Sequence, residues 1–331
     1  MRSAEEIRFR LKQAAANVWL AIARPATSAK APAPLPGLPD PRAVVEKLRG
    51  STFAFEIERL AGEFLQHRFA VLGYAIDAGP EIAWGRDYIH KKQAPKRYFP
   101  RIPYLDFDRA GDHKIIWELN RHQHLIVLAQ AWRLTGRREF VEEIQRQLRG
   151  WLDDNPFQRS INWTSALEVA FRSLSWIWVH HLAGDEFASQ FRAQFLTALY
   201  RHGLHLEYNL SVYFSPNTHL LGEAVALHAI GKLFPNFPRA EKWLNLGSRI
   251  VEEQMERQVR EDGSHFEQSG YYHVYALDMF LFHAVVAGDA SAAYRARVRK
   301  MAAYLAALAG PAGRLPLLGD DDGGRFFHPY G

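Results

Sequence analysis

The sequence contains no cysteine, which excludes disulfides, thiolate metal sites and cysteine nucleophiles and fits a reducing compartment. It also lacks any apolar run of the roughly 18 residues or more that a membrane span needs. Its first 26 residues, MRSAEEIRFRLKQAAANVWLAIARPA, interrupt their apolar positions with charges and amides, so they read as neither a signal peptide nor an anchor. No membrane partner is expected, and the expected compartment is the cytoplasm. There is no basic run, no zinc-finger spacing and no RNP-like aromatic pattern, so no nucleic-acid partner is expected. Among 15 His no H-E-x-x-H spacing occurs, so no catalytic metal and no cofactor are assigned.

What is present is enough apolar material, 48% of 331 residues, to bury a large core. The formal net charge of +5 favours polyanionic partners in general without selecting one. Nine Trp and 13 Tyr among polar neighbours offer flat faces for sugar rings, although core packing is the commoner use of any single aromatic.

Residues 4–23 carry apolar positions at helical spacing and end in PATSAKAPAPLPGLPDP, which is too rich in Pro for helix or sheet and reads as an extended linker. A short helix near 53–70 leads to an irregular stretch, 71–113, in which RYFPRIPYLDFD resembles short strands and turns. From 114 onward the pattern predicts amphipathic helices near 114–135, 137–153, 164–183, 186–210, 216–233, 239–260, 267–287 and 290–309. Short turns between long helices imply antiparallel helical hairpins, hence an all-α fold. With no strict repeat period, a ring of hairpins is preferred to a solenoid. The division expected is 1–113, a helix, linker and lead-in, followed by 114–331, an (α/α) toroid.

Four polar clusters carry the chemistry. In WELNRHQH, 117–124, Trp117 and Arg121 share a helix face and Glu118 can reach Arg121, which is also what a structural ion pair beside a packed Trp would look like. In NPFQRSINWTSALEVAFR, 155–172, Ser165 and Glu168 match a capping box, and Glu168 and Arg172 match an i,i+4 pair. That leaves Asn162 and Trp163, expected to be exposed where a sugar can be bonded and stacked. In SPNTHLLGEA, 215–224, Ser215 as cap and Pro216 at the first position place Asn217, Thr218 and His219 in a first helical turn. The positive end of a helix attracts carboxylates, and Glu223 lies four residues on from His219, where it can orient the imidazole. In REDGSHFEQSGYYHVYALD, 260–278, Asp262-Gly263 marks a turn and Ser269 a cap. His265, Glu267, Tyr271, Tyr272, His273 and Tyr275 then crowd more titratable groups together than a packing face requires.

In this order, W-E-L-N-R, N-P…N-W-x-x-x-L-E-x-x-x-R, N-x-H-L-x-x-E, D-G-S-x-F-E-x-S-x-x-Y-H and the terminal G-D-D-D-G-G-R at 319–325 resemble the helical portion of the heparinase II/III family of polysaccharide lyases. The resemblance implies an incomplete (α/α) toroid followed by an antiparallel β-sandwich, with an acidic polysaccharide bound between them. It implies cleavage of uronate glycans such as heparin, heparan sulfate or alginate by β-elimination. By motif position Tyr272 matches the catalytic tyrosine, and the N-x-H segment matches the carboxylate-neutralising Asn217 and His219, although Thr218 stands directly before His219 where several members have Asn. The motifs also nominate Trp117, Glu118, Asn120, Arg121, Asn162, Trp163, Glu168, Arg172, Glu223, Glu267, His273 and Arg325 for substrate binding. Members continue past the G-D-D-D-G-G-R motif into the sandwich, so a C-terminal β-sandwich partner domain, missing from this chain, is expected. For such an enzyme the periplasm is the alternative compartment.

Two other functions fit the same residues. An (α/α)-toroid glycoside hydrolase would use a carboxylate pair drawn from Glu118, Glu168, Glu223 and Glu267. A non-catalytic or truncated glycan-binding module would use the aromatic and Arg side chains alone.

Overall fold

A computed structural model describes residues 2–323, 325 and 326. The fold is all-α, as expected, with strands confined to two small hairpins among the described residues. The chain forms two compact units, one running to Tyr208 and the other beginning at Asn209.

The first unit opens with α1 (Ala4–Ala23), capped by Ser3 and seated through buried Asn17 and Leu20. The Pro-rich stretch that follows is non-helical and firmly held. His181 Nδ1 accepts the Leu35 N–H at 3.0 Å, its Nε2–H donates to Pro39 O at 2.9 Å, and His180 donates to Pro32 O at 3.0 Å. Next come α2 (Pro41–Leu48), which the sequence reading passed over, and α3 (Thr52–Leu65). The hairpins β1 (Arg68–Val71)/β2 (Tyr74–Asp77) and β3 (Arg86–Asp87)/β4 (Lys92–Gln93) are antiparallel. The segment expected as short strands and turns around 97–108 has no strand: it forms a 3-10 turn, Phe99–Arg101, and the single-turn α4 (Phe107–Ala110).

The helix expected over 114–135 is broken in two, α5 (His113–Asn120) and α6 (Gln123–Thr135). His122 takes a left-handed conformation, φ 59°, at the break, where its buried Nδ1 accepts Trp176 Nε1–H at 2.9 Å. That tertiary bond offsets a backbone conformation few non-glycine residues adopt. Helix α7 (Glu139–Asp154) buries Phe140, Val141, Ile144, Leu148 and Trp151, one stripe at helical spacing. Helices α8 (Ala166–Ala183) and α9 (Ser189–Asn209) follow.

In the second unit α10 (Thr218–Leu233) and α11 (Ala240–Gln258) form a close hairpin. A Cβ on Gly247 would lie 2.5 Å from His228 N, so only glycine lets the two backbones approach this far. A second hairpin joins α12 (Gly270–Ala287) to α13 (Ala292–Ala309), with Tyr294 Oη donating to Phe280 O at 3.1 Å.

Candidate functional site

In the first unit the nominated residues form an interior network. Asn162 and Trp163 are 0% and 2% exposed, so the expectation of an exposed pair is corrected. Asn162 Nδ2 donates to Asn120 Oδ1 and to Asn155 Oδ1, each at 2.8 Å, while Asn120 Oδ1 also accepts Trp151 Nε1–H at 2.8 Å. A buried amide needs such partners, and here each amide supplies them for the next. Arg172, 0% exposed, lies 4.5 Å from the Trp151 ring centroid and 5.5 Å from that of Trp163. It donates to His202 Nε2 and to Asn162 O, both at 2.9 Å. Burial lowers its pKa to about 9, against the pull of Glu168, so it remains a cation at neutral pH.

The capping box expected from Ser165 and Glu168 is not formed, because Ser165 caps without a side-chain hydrogen bond. Glu168 instead accepts a two-pronged contact from Arg121, Nε at 2.7 Å and Nη2 at 2.9 Å, a geometry stronger than a helical i,i+4 pair. Arg121 also pairs with Glu118 at 2.8 Å, as its spacing implied. Trp117 is half-buried, edge-to-face with His113 and tilted against Tyr104, with its Nε1–H on Ile161 O at 3.1 Å.

The second unit gathers the catalytic candidates. Helix α10 starts two residues later than expected: Asn217, not Ser215, is the cap, and its Oδ1 accepts the His219 N–H at 3.1 Å. Its Nδ2 donates to Glu267 Oε1 at 2.9 Å, and His219 sits half-exposed on the first turn. Glu223 does not orient His219. It is fully buried and accepts both the backbone N–H and the hydroxyl of Ser211, at 2.7 and 2.6 Å. Burial raises its pKa to about 8.

Ser269 caps α12 as expected, accepting the Tyr272 N–H at 3.2 Å. The same hydroxyl donates to Asp320 O at 2.5 Å, and Gly270 N–H donates to Leu318 O at 3.0 Å. Gly319, φ +71°, makes this approach possible, since a Cβ there would lie 2.8 Å from that of Ser269. The G-D-D-D-G-G-R segment is thereby laid along α12; its Gly324 is outside the described residues. Arg325 reaches the Tyr271 ring at 5.0 Å, and the half-buried Tyr272 hydroxyl donates to the Asp322 carboxylate.

Electrostatics follow from this crowding. Tyr272 is pushed well above the usual phenol range, first by burial and then by Asp322, Glu267 and Tyr271. Burial likewise raises Glu267, against the hydrogen bonds of Thr218 and Asn217. His265 donates Nε2–H to Gln258 Oε1 at 3.0 Å, leaving its Nδ1 lone pair facing Glu267 Oε2 at 3.8 Å, an arrangement that a proton on Glu267 relieves. His273 is interior and donates to Met301 O at 2.9 Å, which corrects its nomination as a substrate contact. Asp322 and Thr218 were not nominated from the sequence, although the acidic run beside Gly319 holds the first and the second stands in the expected first turn, directly before His219. No group of three or more His, Asp or Glu side chains suited to a metal occurs among the described residues.

The helical hairpins place the chain in the (α/α)-toroid class, the fold of solved heparinases. The heparinase III-BT4657 gene product matches over 92% of this chain and 46% of its own, with TM-score 0.59 and 22% identity. Heparan sulfate lyase HepC from Pedobacter heparinus matches over 83% and 44%, with TM-score 0.57 and 23% identity. The chain belongs to the heparinase II/III N-terminus family, whose model matches residues 30–325. Curated relatives include a heparin-sulfate lyase of Bacteroides stercoris, 25% identical over 70% of this chain and 35% of the relative. Another, from Bacteroides thetaiotaomicron, is 29% identical over 47% of this chain and 23% of the relative. The chain thus spans about a third or less of the curated relatives' length.

Proposed function

We propose that this chain carries the catalytic cluster of a polysaccharide lyase that cleaves a uronate-containing glycan of the heparin or heparan sulfate class by β-elimination. The observation that carries the reading is the Asn217–Glu267 and Tyr272–Asp322 pairing at the starts of α10 and α12.

Elimination removes the C5 proton, forms a C4–C5 double bond and breaks the bond from C4 to the glycosidic oxygen, which then takes a proton. Tyr272, held protonated, is the acid for that oxygen and needs no downward pKa shift. His219 is the base for C5: it is half-exposed, whereas His265 and His273 are buried and tied to Gln258 and Met301 O. Asn217 has a second amide proton beyond the one given to Glu267, and at the positive start of α10 it serves the charge that develops on the uronate carboxylate. Burial raises Glu267 from the usual carboxylate value, in the direction that lessens repulsion there.

The hydrolase reading is weakened by what its carboxylates already do. Glu118 and Glu168 hold Arg121, and Glu223 holds Ser211. Incubation with heparin, heparan sulfate, alginate and hyaluronan, followed by ultraviolet absorbance of the unsaturated uronate end, tests the proposal. Chain shortening without that chromophore favours hydrolysis, and binding without either favours the non-catalytic module.

A further inference from the structure

Glu223 is a buried carboxyl that the proposed chemistry does not use. It is 0% exposed, and both of its oxygens accept hydrogen bonds from one residue, Ser211, twelve positions earlier. Burying a carboxyl is costly unless it is bonded, so this contact is an anchor for the chain around Ser211. The anchored segment is a turn closed by Ser215 N–H on Ser211 O at 3.1 Å and Val212 N–H on Leu210 O at 2.8 Å. From buried Leu210 and Ser211 the chain emerges to present Val212, Tyr213 and Phe214, 36%, 39% and 73% exposed, and then returns to the α10 cap at Asn217.

Single exposed apolar residues are ordinary, but three in succession on a tethered turn form a contact surface. Three residues of chain reach at most about 11 Å, so Phe214 and Asn217 lie within the span of one short oligosaccharide. Flat aromatic faces beside polar groups that read a carboxylate match alternate features of an acidic glycan, apolar ring faces and charged substituents.

Resting on the lyase reading, we propose that residues 211–216 are a tethered aromatic rim. In this rim Phe214 and Tyr213 stack on a pyranose ring next to the uronate held at Asn217, and Glu223, acting through Ser211, is the positioning residue that holds them there.

The test uses the full chain with a heparan sulfate oligosaccharide, measuring kcat, KM and direct binding by calorimetry. Phe214→Ala, at a largely exposed site, is expected to keep the parent melting temperature and raise KM about tenfold with kcat within about twofold. Glu223→Ala leaves the Ser211 donors unpaired and is expected to raise KM alike. Glu223→Gln, whose amide can satisfy both Ser211 groups, restores it. Parent-like KM in Phe214→Ala, or failure of Glu223→Gln to rescue a folded protein, overturns the rim. If the parent yields no unsaturated product, the lyase reading fails by itself, and the rim then stands or falls on calorimetry: weaker binding by Phe214→Ala supports it, while unchanged binding, or none by the parent, overturns it.

Discussion

Asn217 binds in two directions at once: its carbonyl oxygen caps α10 at the His219 N–H, and its amide donates to Glu267 Oε1 at 2.9 Å. One side chain therefore sets both the helix start and the carboxyl that reaches it from the turn before α12. Asn217→Ser retains an oxygen able to cap but removes the amide donor. Stability is expected to change by only a few tenths of a kcal/mol to about 1 kcal/mol. Turnover is expected to fall roughly 10²-fold or more, the usual cost of losing an oxyanion donor. Thermal melts beside steady-state assays separate the two; equal loss in both would make Asn217 purely structural.

Tyr272 is expected to act while protonated. Tyr272→Phe removes the acid and should lower kcat by about 10²- to 10⁴-fold at near-parent stability. Because burial and Asp322 raise this phenol, its deprotonation does not limit turnover between about pH 7 and 9. Asp322→Asn removes one raising charge, so the alkaline fall in kcat should move to lower pH. An unmoved limb in that variant would uncouple the two residues.

Glu223 predicts a pH-dependent stability of defined sign. Its folded pKa is raised to about 8 from 4.5, so the folded protein binds the proton more tightly than the unfolded chain. That contribution is complete below about pH 4.5 and lost as pH rises through about 8. Denaturant midpoints of the parent should therefore fall relative to Glu223→Gln across this window. A constant difference would refute the assignment.

Arg172 and Glu168 are expected to matter for folding before binding. Removing one partner of a buried, bonded charge leaves the other exposed to a low-dielectric interior, at a typical cost of about 3–5 kcal/mol. Arg172→Ala, which also vacates the space between Trp151 and Trp163, should lower the denaturant midpoint strongly. Glu168→Ala should lower it as well, by removing the two-pronged partner of Arg121 and leaving that guanidinium only Glu118. Raised KM in stably folded variants would return these residues to the substrate list.

Local pattern reached far in this chain. The helices of the second unit, the Ser269 cap, the extended Pro stretch and the Glu118–Arg121 pair all rest on spacing or on residues adjacent in sequence, where local sterics and capping dominate. What failed needed a distant partner. The Arg121–His122 break depends on Trp176, the Glu168 contact on Arg121 forty-seven positions away, and the burial of Trp163 on Arg172 and Trp151. Spacing alone shows which neighbours a carboxylate can reach along its own helix, and a better partner across the fold overrides it.

By itself, the sequence determined an all-α chain, its hairpin rhythm and the two short stretches, N-T-H and Y-Y-H, on which the candidate chemistry depends. Folding alone decided that Asn217 meets Glu267, that Asp322 meets Tyr272 and that Glu223 turns away from His219 toward Ser211. The reason is energetic: a buried polar group gains more from a partner that the packed helices bring within about 3 Å than from a local preference, because leaving it unpaired is costly.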